Sequence, residues 1–381
     1  MKKRWDSVLK YIKQSDMYLL FLCLISSIYG IFLIDSATKH MTTSNHVYIQ
    51  IVALFIGVGL YIIFSLFDID TIADKSKILF VLSILFISTL FIWGVAGDTG
   101  NRAWLRFGSI SIQPAEVVKI PYTIILAKMI SDYKERRTLN APISFIKLTA
   151  IFAVLFAFII VSSSDLGSAL VYLFILIIML FVGGVDAKWL LLAGIIIVGA
   201  ILIAWNSDFL SQLQKDRIMA PYDPLIDPKG LGVKWQANQS KIAISAGNFI
   251  GDGLYNGLMT QSGGVPKQHT DFIFSVAAEE LGFVGSFSII FLLIAIIIRC
   301  FQIGIRSNNG IGLFVCTGLA AMLIFQTFEN IGMCLGLTPV IGLTLPFFSS
   351  GGSSLVTLYA SMGIVSGIKM RPKPIRFRSY L

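Results

Sequence analysis

The sequence predicts an all-α polytopic membrane protein of ten transmembrane helices, with both termini cytoplasmic and a large extracytoplasmic loop between helices 7 and 8. Three observations carry this. Of 381 residues, 56% are hydrophobic and 13% charged, about half the charged fraction of soluble globular domains. Apolar runs close to the roughly 20 residues that a helix needs to cross the hydrocarbon core recur along most of the chain. The 30 Lys and Arg sit between those runs and not along one basic face. The net charge of +9 therefore reads as membrane topology and gives no case for nucleic acid.

Residues 1–16 carry Lys2, Lys3, Arg4, Lys10 and Lys13 ahead of an apolar run that lacks an A-x-A-like cleavage site. That is the pattern of a cytoplasmic segment before an uncleaved first span. The spans follow at 17–35, 47–67, 77–96, 114–131, 145–162, 167–184, 188–205, 273–298, 311–329 and 352–368. The fourth is the least hydrophobic, because Glu116, Lys119, Pro121 and Lys128 interrupt it. A nine-span chain without it would leave one basic terminus outside. With ten spans, about 20 of the 30 Lys and Arg face the cytoplasm, including Lys134, Arg136 and Arg137 and the basic tail 369–381, as the positive-inside bias requires.

The membrane domain then runs as one unit from 17 to 368, with 206–271 as its large outer loop. The basic residues of that loop do not contradict the topology, since long loops translocate largely regardless of charge. Two more segments lie outside: 97–113, and 336–354. The second is apolar but broken by Pro339, Pro346, Gly351 and Gly352, so it is expected to fold back onto the bundle. Cys23, Cys300, Cys316 and Cys334 lie in or beside apolar runs without a C-x-x-C pair and read as packing residues. No internal repeat is visible, which weakens the case for an alternating-access transporter.

Ionisable groups in or at the ends of membrane helices are expensive, so each is a functional candidate. Here they gather at the outer end. Arg102, Trp104 and Arg106 precede Glu116 and Lys119; Asp165 lies between spans five and six; Asp271 leads to Glu279 and Glu280. Asp271 is the first suspect, because a carboxylate where a long aqueous loop enters a helix can meet the polar head of a lipid-linked substrate. Glu116 and Lys119 share a helix face, and either neutralise each other between helices or position substrate. Asp271 and Glu279 are about 12 Å apart along a helix, too far for a tight acid pair, so they do different jobs.

Asp165, in Ser164-Asp165-Leu166-Gly167, has the position of a helix N-cap. His269 is the alternative general base, although a loop histidine is more commonly a hydrogen-bonding or solvated residue. The segment from Trp235 to Ile244 begins polar and turns apolar, as expected of an amphipathic helix lying on the outer surface. Its Lys241 either anchors to lipid head groups or touches an anionic substrate.

The segments GNRAWLRFGSISIQPAEVVK, SDLGSALV, WQANQSKIAISAG, PKQHTDFIFSVAAEELGFVG, NIGMCLGLTPVIGLTLPFF and SSGGSSL resemble, in this order, the hallmarks of the SEDS family of shape, elongation, division and sporulation proteins. The resemblance covers about residues 95–368. PKQHTDFIF and NIGMCLGLTPV are highly specific, whereas DLG alone is not. The wording of QSKIAI and QSGGVPKQHTDF is closer to the elongation branch, RodA, than to the division branch, FtsW.

The resemblance implies a peptidoglycan glycosyltransferase of the bacterial cytoplasmic membrane. It would polymerise lipid II into glycan strands at the outer face, release undecaprenyl pyrophosphate, and have a class B penicillin-binding protein as transpeptidase partner among the membrane lipids. The family's essential aspartate falls on Asp271 and its functional tryptophan on Trp104. Lys267, His269 and Thr270 of the same motif join the substrate side, with Asp165, Gln239, Ser240, Glu279, Glu280 and Asn330 in support. Two departures stand out: Ser163-Ser164 where relatives often have Gln-Pro, and Glu329, which is unusual and has no account in the sequence.

The implied chemistry fits the residues. A sugar hydroxyl loses its proton as it attacks an anomeric carbon, and burial can raise the Asp271 pKa into the range of a general base. Arg102, Arg106, Lys119, Lys241 and Lys267 are cations for the leaving pyrophosphate. A divalent cation, Mg or Mn, held by carboxylates and phosphate is the one cofactor this chemistry has room for. Two rivals remain. A lipid II flippase would need a polar path through the full membrane thickness, and the charges cluster at one end; a non-enzymatic scaffold for a transpeptidase would not need the intact acidic motif.

Overall fold

The computed structural model describes residues 11–41, 45–96, 101–108, 110–207, 210–307 and 310–371. Lys2, Lys3, Arg4 and Lys10, residues 97–100 of the outer segment and 372–381 of the basic tail lie outside the described residues.

Hydrocarbon offers backbone N–H and C=O groups no partner, so a spanning segment must satisfy them itself. The apolar runs accordingly fold as α1 (Met17–Thr38), α2 (His46–Leu66), α3 (Ser76–Trp93), α4 (Pro114–Glu135), α5 (Pro142–Ser163), α6 (Leu166–Gly183) and α7 (Ala187–Asn206). The long loop carries α8 (Gln212–Met219), α9 (Trp235–Ala246) and α10 (Leu258–Gln261) before α11 (Ile273–Arg306), α12 (Gly310–Cys334) and α13 (Gly352–Lys369) complete the bundle. Among the described residues eight of these helices are long and apolar enough to cross a membrane.

The polarity that separates α4 and α13 from those eight is hidden inside. Every residue of α13 from Thr357 to Ile368 is buried, as are Glu116, Lys119 and Thr123 of α4. α13 lies along α2 with glycines at the contact. A Cβ at Gly363 would sit 2.8 Å from Tyr61 Cα, and one at Gly367 2.7 Å from Ser65 O. Small residues that let backbones approach are what hold membrane helices together. α7 is the opposite case, with none of its residues buried.

Three features depart from the sequence expectation. The fold is not wholly helical: β1 (Leu105–Phe107) and β2 (Ile110–Ile112) pair antiparallel, with Phe107 opposite Ile110. Gly108 at φ 63° makes the tight turn that a two-residue hairpin needs, and β2 rests against α13. Secondly, α9 has a protein partner along one face. It docks on α11 and α12 through small residues: Ser240 Oγ donates to Cys334 O at 2.8 Å, and Ala243 is fully buried.

Thirdly, α11 is broken at Gly282 (φ 64°, ψ −158°). The freed amides of Phe283 and Val284 donate to Asn248 O and Phe249 O at 3.0 and 3.3 Å, so the glycine-bearing loop after α9 fills the break. The predicted eighth span is thus a short outer helix followed by a longer one.

The segment 336–351 folds back as expected. Leu343, Leu345, Phe347 and Phe348 are all buried in it, and Gly30 of α1 leaves no room for a Cβ beside Phe348 Cα, 2.7 Å away.

At the opposite end of the bundle one carboxylate ties three helices. Asp16 caps α1 through Leu19 N at 2.8 Å. Its Oδ2 accepts from Arg299 of α11 at 2.7 Å and from Lys369 of α13 at 3.1 Å, while Asp16 itself is fully buried. Burial pushes this carboxyl up, but the bonds from Arg299, Leu19 and Lys369 outweigh it and hold it below the ordinary value. A depressed folded pKa stabilises above the unfolded value of about 3.9, and that stability is lost as pH falls through the folded pKa. Asp16→Asn should therefore cost about 1–3 kcal/mol, read as a lower Tm in detergent at neutral pH, with the difference from wild type shrinking only in strong acid.

Candidate active site

Asp271 sits directly before Phe272, the N-cap of α11. The turn that presents it is tight: Lys267 has φ 52°, and its carbonyl accepts from Thr270 N and Phe272 N at 3.1 and 3.3 Å. This brings Lys267 Nζ to 4.0 Å from Asp271 Oδ2.

The backbone of the turn is gripped by elements far away in sequence. Asn330 Nδ2 on α12 donates to Asp271 O and to Leu343 O, both at 2.7 Å. Ser349 Oγ donates to Thr270 O at 2.6 Å, and Ser350 N to His269 O at 2.9 Å. The buried Gln268 donates to Ala37 O and Thr260 O, both at 2.8 Å. Gly342 (φ 74°) faces the carboxylate; a Cβ there would lie 3.4 Å from Oδ2.

The Asp271 side chain is only 13% exposed. Burial raises its carboxyl above the ordinary value; Lys267 and the Thr270 hydroxyl pull it back, and the charge of Asp165 adds to the rise. Asp165 caps α6 as its position predicts, accepting from Ser168 N at 3.0 Å, Ser168 Oγ at 2.7 Å and Gln113 Nε2 at 2.7 Å. Its carboxyl is also raised by burial, against the Ser168 bonds and Lys119, with Glu116 adding to the rise.

The ends of α4, α6 and α11 nearest Asp271 thus form one electrostatic cluster. Within it Lys119 is fully enclosed and its ammonium binds Glu116. In this conformation Lys119 holds Glu116 and acts on Asp165 through its field, and its ammonium has no surface to offer a substrate.

Other predicted residues fall elsewhere. Arg102 and Arg106 are exposed around the hairpin, and the half-buried Trp104 accepts from Val95 N at 2.8 Å through its carbonyl. Lys241 is exposed on α9 at the rim of a cavity of about 350 Å³ shared with Arg217 and Lys234. Gln239 is half-buried on the same helix, and Ser240 is the docking residue already described. His269 packs its ring on His46 with centroids 4.4 Å apart.

Glu279 and Glu280 are anchors for the long loop. Glu279 accepts from Met259 N at 2.6 Å and Thr260 N at 2.9 Å, and Glu280 from Ser36 Oγ at 2.7 Å and Gln261 Nε2 at 2.9 Å. Glu329 is buried beside Asn330, and its carbonyl accepts from Thr338 Oγ1 at 3.2 Å. Sequence reasoning missed Gln113, Gly342 and Ser349. Only Gln113 carried a signal, as a polar residue directly before the proline that opens α4. Among the described residues no three His, Cys, Asp or Glu side chains converge as a metal set. The protein residues alone therefore form no closed cage, and a Mg or Mn ion here would take one or two carboxylates together with substrate phosphates.

The family of FtsW, RodA and SpoVE cell cycle proteins matches residues 15–373. The chain belongs to this family. Within it, the chain is 31% identical to the probable peptidoglycan glycosyltransferase FtsW of Bacillus subtilis over 95% of its own length and 92% of that protein. It is 34% identical to the peptidoglycan glycosyltransferase MrdB of Escherichia coli over 77% of its length and 78% of that protein.

Two solved structures of similar proteins share the fold. One, described as structural coordination of polymerization and crosslinking by a peptidoglycan synthase complex, superposes with a TM-score of 0.79 at 28% identity, over 93% of this chain and 97% of the other. The other, the rod shape determining protein RodA of Thermus thermophilus, has a TM-score of 0.67 at 27% identity, over 93% and 96%.

Asn330 ties α12 to both the Asp271 turn and the returning segment. Asn330→Ala leaves two buried carbonyls without that donor, so it should lower stability by about 1–3 kcal/mol, measured as thermal unfolding in detergent. An unchanged Tm would show that the Asp271 turn is held without it.

Proposed function

We propose that this protein is a peptidoglycan glycosyltransferase that polymerises lipid II at the outer face of the bacterial cytoplasmic membrane, with Asp271 as its general base. The observation that carries the reading is the Asp271 turn: a carboxylate raised by burial, a single cation 4.0 Å away, and a backbone fixed from α12 and the returning segment. Such a group suits proton removal from a sugar hydroxyl. As that oxygen bonds to the anomeric carbon of the donor, the bond from that carbon to the pyrophosphate oxygen breaks and undecaprenyl pyrophosphate leaves. Lys267 offsets the charge that develops, with the exposed Arg102, Arg106 and Lys241 available to the polar heads approaching from outside. The relatives named peptidoglycan glycosyltransferases support the activity.

The same reading takes the chain as a single ten-helix membrane domain over 17–368, with α4 and α13 as spans despite their polarity and both termini cytoplasmic. It takes cell elongation as the role, on the wording of QSKIAI and QSGGVPKQHTDF, and a class B penicillin-binding protein as partner. The neighbour from a peptidoglycan synthase complex supports a partner of that kind.

Four outcomes are expected. Purified protein with its transpeptidase partner forms glycan strands from labelled lipid II in detergent, where there is no membrane to cross; transport of lipid II across liposomes without polymer would make it a flippase instead. Asp271→Asn lowers polymerisation at least about 100-fold with expression and Tm retained, and normal polymer from a folded Asn variant would remove Asp271 from the mechanism. Because the base acts when deprotonated, kcat/KM climbs as pH rises through the elevated Asp271 pKa. Lys267→Met removes a group that lowers that pKa, so the acid limb should move to higher pH; a limb that stays put or moves down contradicts the pairing. For the topology, cysteine at Lys229 in a Cys-free chain reacts with impermeant thiol reagents from outside, and cysteine at Arg371 does not.

A further inference from the structure

At the end of the bundle opposite Asp271, the cytoplasmic end in the topology proposed above, α11 and α13 enclose a cavity of about 130 Å³. Its walls carry four cations: Arg299, Arg306, Lys369 and Arg371, together with Gln302 and Ser307. Among the described residues two carboxylates answer them. Asp16 is shared by Arg299 and Lys369, at 2.7 and 3.1 Å, and Asp68 holds Arg371 at 2.6 Å.

Donors are left over. Lys369 Nζ meets Asp16 and Ser15 O, at 3.1 and 3.4 Å, which leaves one of its three N–H bonds. Arg306 is exposed, and among the described residues it has no carboxylate in ion-pair reach. Basic residues in the last turn of a helix offset the carbonyl end, which accounts for Arg306 on α11 and Lys369 on α13. It does not account for Arg299 and Arg371 gathered on the same enclosed space.

An apolar track leads away from the cavity. Phe287, Phe291, Ile294, Ile298 and Ile305 are all exposed on α11, at spacings of about three, four and seven residues that keep them along one side of the helix. At the cavity end, Arg299 lies 5.6 Å over the ring of Tyr18, an aromatic at the start of α1 where an interfacial belt would run. A cavity of this size is well below the roughly 300–1,000 Å³ that takes a drug-sized molecule. It has room for a phosphate group whose chains leave sideways.

We infer that this basic pocket between α11 and α13 binds the phosphodiester headgroup of an anionic phospholipid, whose acyl chains lie along the exposed face of α11. A phosphodiester brings one negative charge and two free oxygens, which suit Arg306 and the spare Lys369 proton as charge-assisted donors. Basic pockets between membrane helices on the cytoplasmic side recognise such lipids. A free phosphate ion has the same head chemistry but gains nothing from the apolar track.

The test uses the full chain, delipidated in neutral detergent, with bound lipid read by native mass spectrometry and stability by thermal unfolding. Phosphatidylglycerol should be retained and should raise Tm, since a ligand that binds only the folded state stabilises it. Phosphatidylcholine of the same chain length has the same phosphodiester but carries a trimethylammonium that the four cations repel, so it should do neither, and inorganic phosphate should not displace the bound lipid.

Arg306→Gln, which leaves the Asp16 and Asp68 bonds intact, should weaken phosphatidylglycerol binding about 5-fold or more. Lys188→Gln, at the start of α7 and outside the pocket, should not. Equal retention of the two lipids, full binding by the Arg306 variant, an equal loss in the Lys188 variant, or displacement by inorganic phosphate would each overturn the inference. None of these results bears on Asp271, so the pocket and the glycosyltransferase reading fail or stand separately.

Discussion

A polar group between membrane helices has no water to fall back on, so a carboxylate, amide or hydroxyl inside this bundle is costly unless it is answered from within. Two knots of such groups organise the molecule. At one end Asp16 is held by α11 and α13 while its own carbonyl accepts from Tyr61 of α2 at 2.7 Å. At the other, Asn330 bonds the carbonyls of Asp271 and Leu343, so α12, the start of α11 and the returning segment cannot move independently. Between the knots the contacts are mostly apolar packing, with glycines letting α13 approach α2 closely. The precision of the fold is therefore concentrated at its ends.

That arrangement is what makes a reactive carboxylate tolerable. Asp271 is kept at the edge of the bundle, shielded enough for burial to raise its carboxyl and near enough to Lys267 to remain chargeable. Its backbone is fixed while its side chain is left largely to Lys267 and Thr270. Asp165, Glu116 and Lys119 stand behind it as a second layer, each already bound. A buried ion pair such as Glu116–Lys119 is a poor source of net stability, and its value here is to set the field around the outer cluster. In the proposed reaction the cations within reach of a departing pyrophosphate would be the exposed ones, on the hairpin and on α9.

The long outer loop belongs to the core as much as to the surface. Its helix α9 packs on α11 and α12, and its glycines enter the break at Gly282, where Glu279 and Glu280 on the short outer piece receive the amides and side chains of residues 259–261. The two glutamates read from sequence as candidate acids are thus spent on holding the loop to the helix. α7, by contrast, buries none of its residues and meets its surroundings along its whole length.

The sequence by itself determined the apolar runs, their order, the returning segment and the importance of PKQHTDFIF, because hydropathy, helix-breaking residues and contiguous motifs are local properties of a chain. It also placed Asp165 as a cap, since capping depends on the next three residues alone. What only the tertiary structure decided were relations between distant segments. Lys119 reads in sequence either as neutralised by Glu116 between helices or as a cation for substrate, and packing of α4 among α6 and α12 decides it by enclosing Lys119 on Glu116. The segment after Trp235 reads as a surface helix, because an apolar flank facing lipid and one facing protein look the same in one dimension. Gly282 looks like any glycine in a helix until the loop from residues 247–253 is seen to fill the gap it opens. Gln113, Gly342 and Ser349 matter for where their atoms arrive, and arrival is set by the packing of helices that no single stretch of sequence contains.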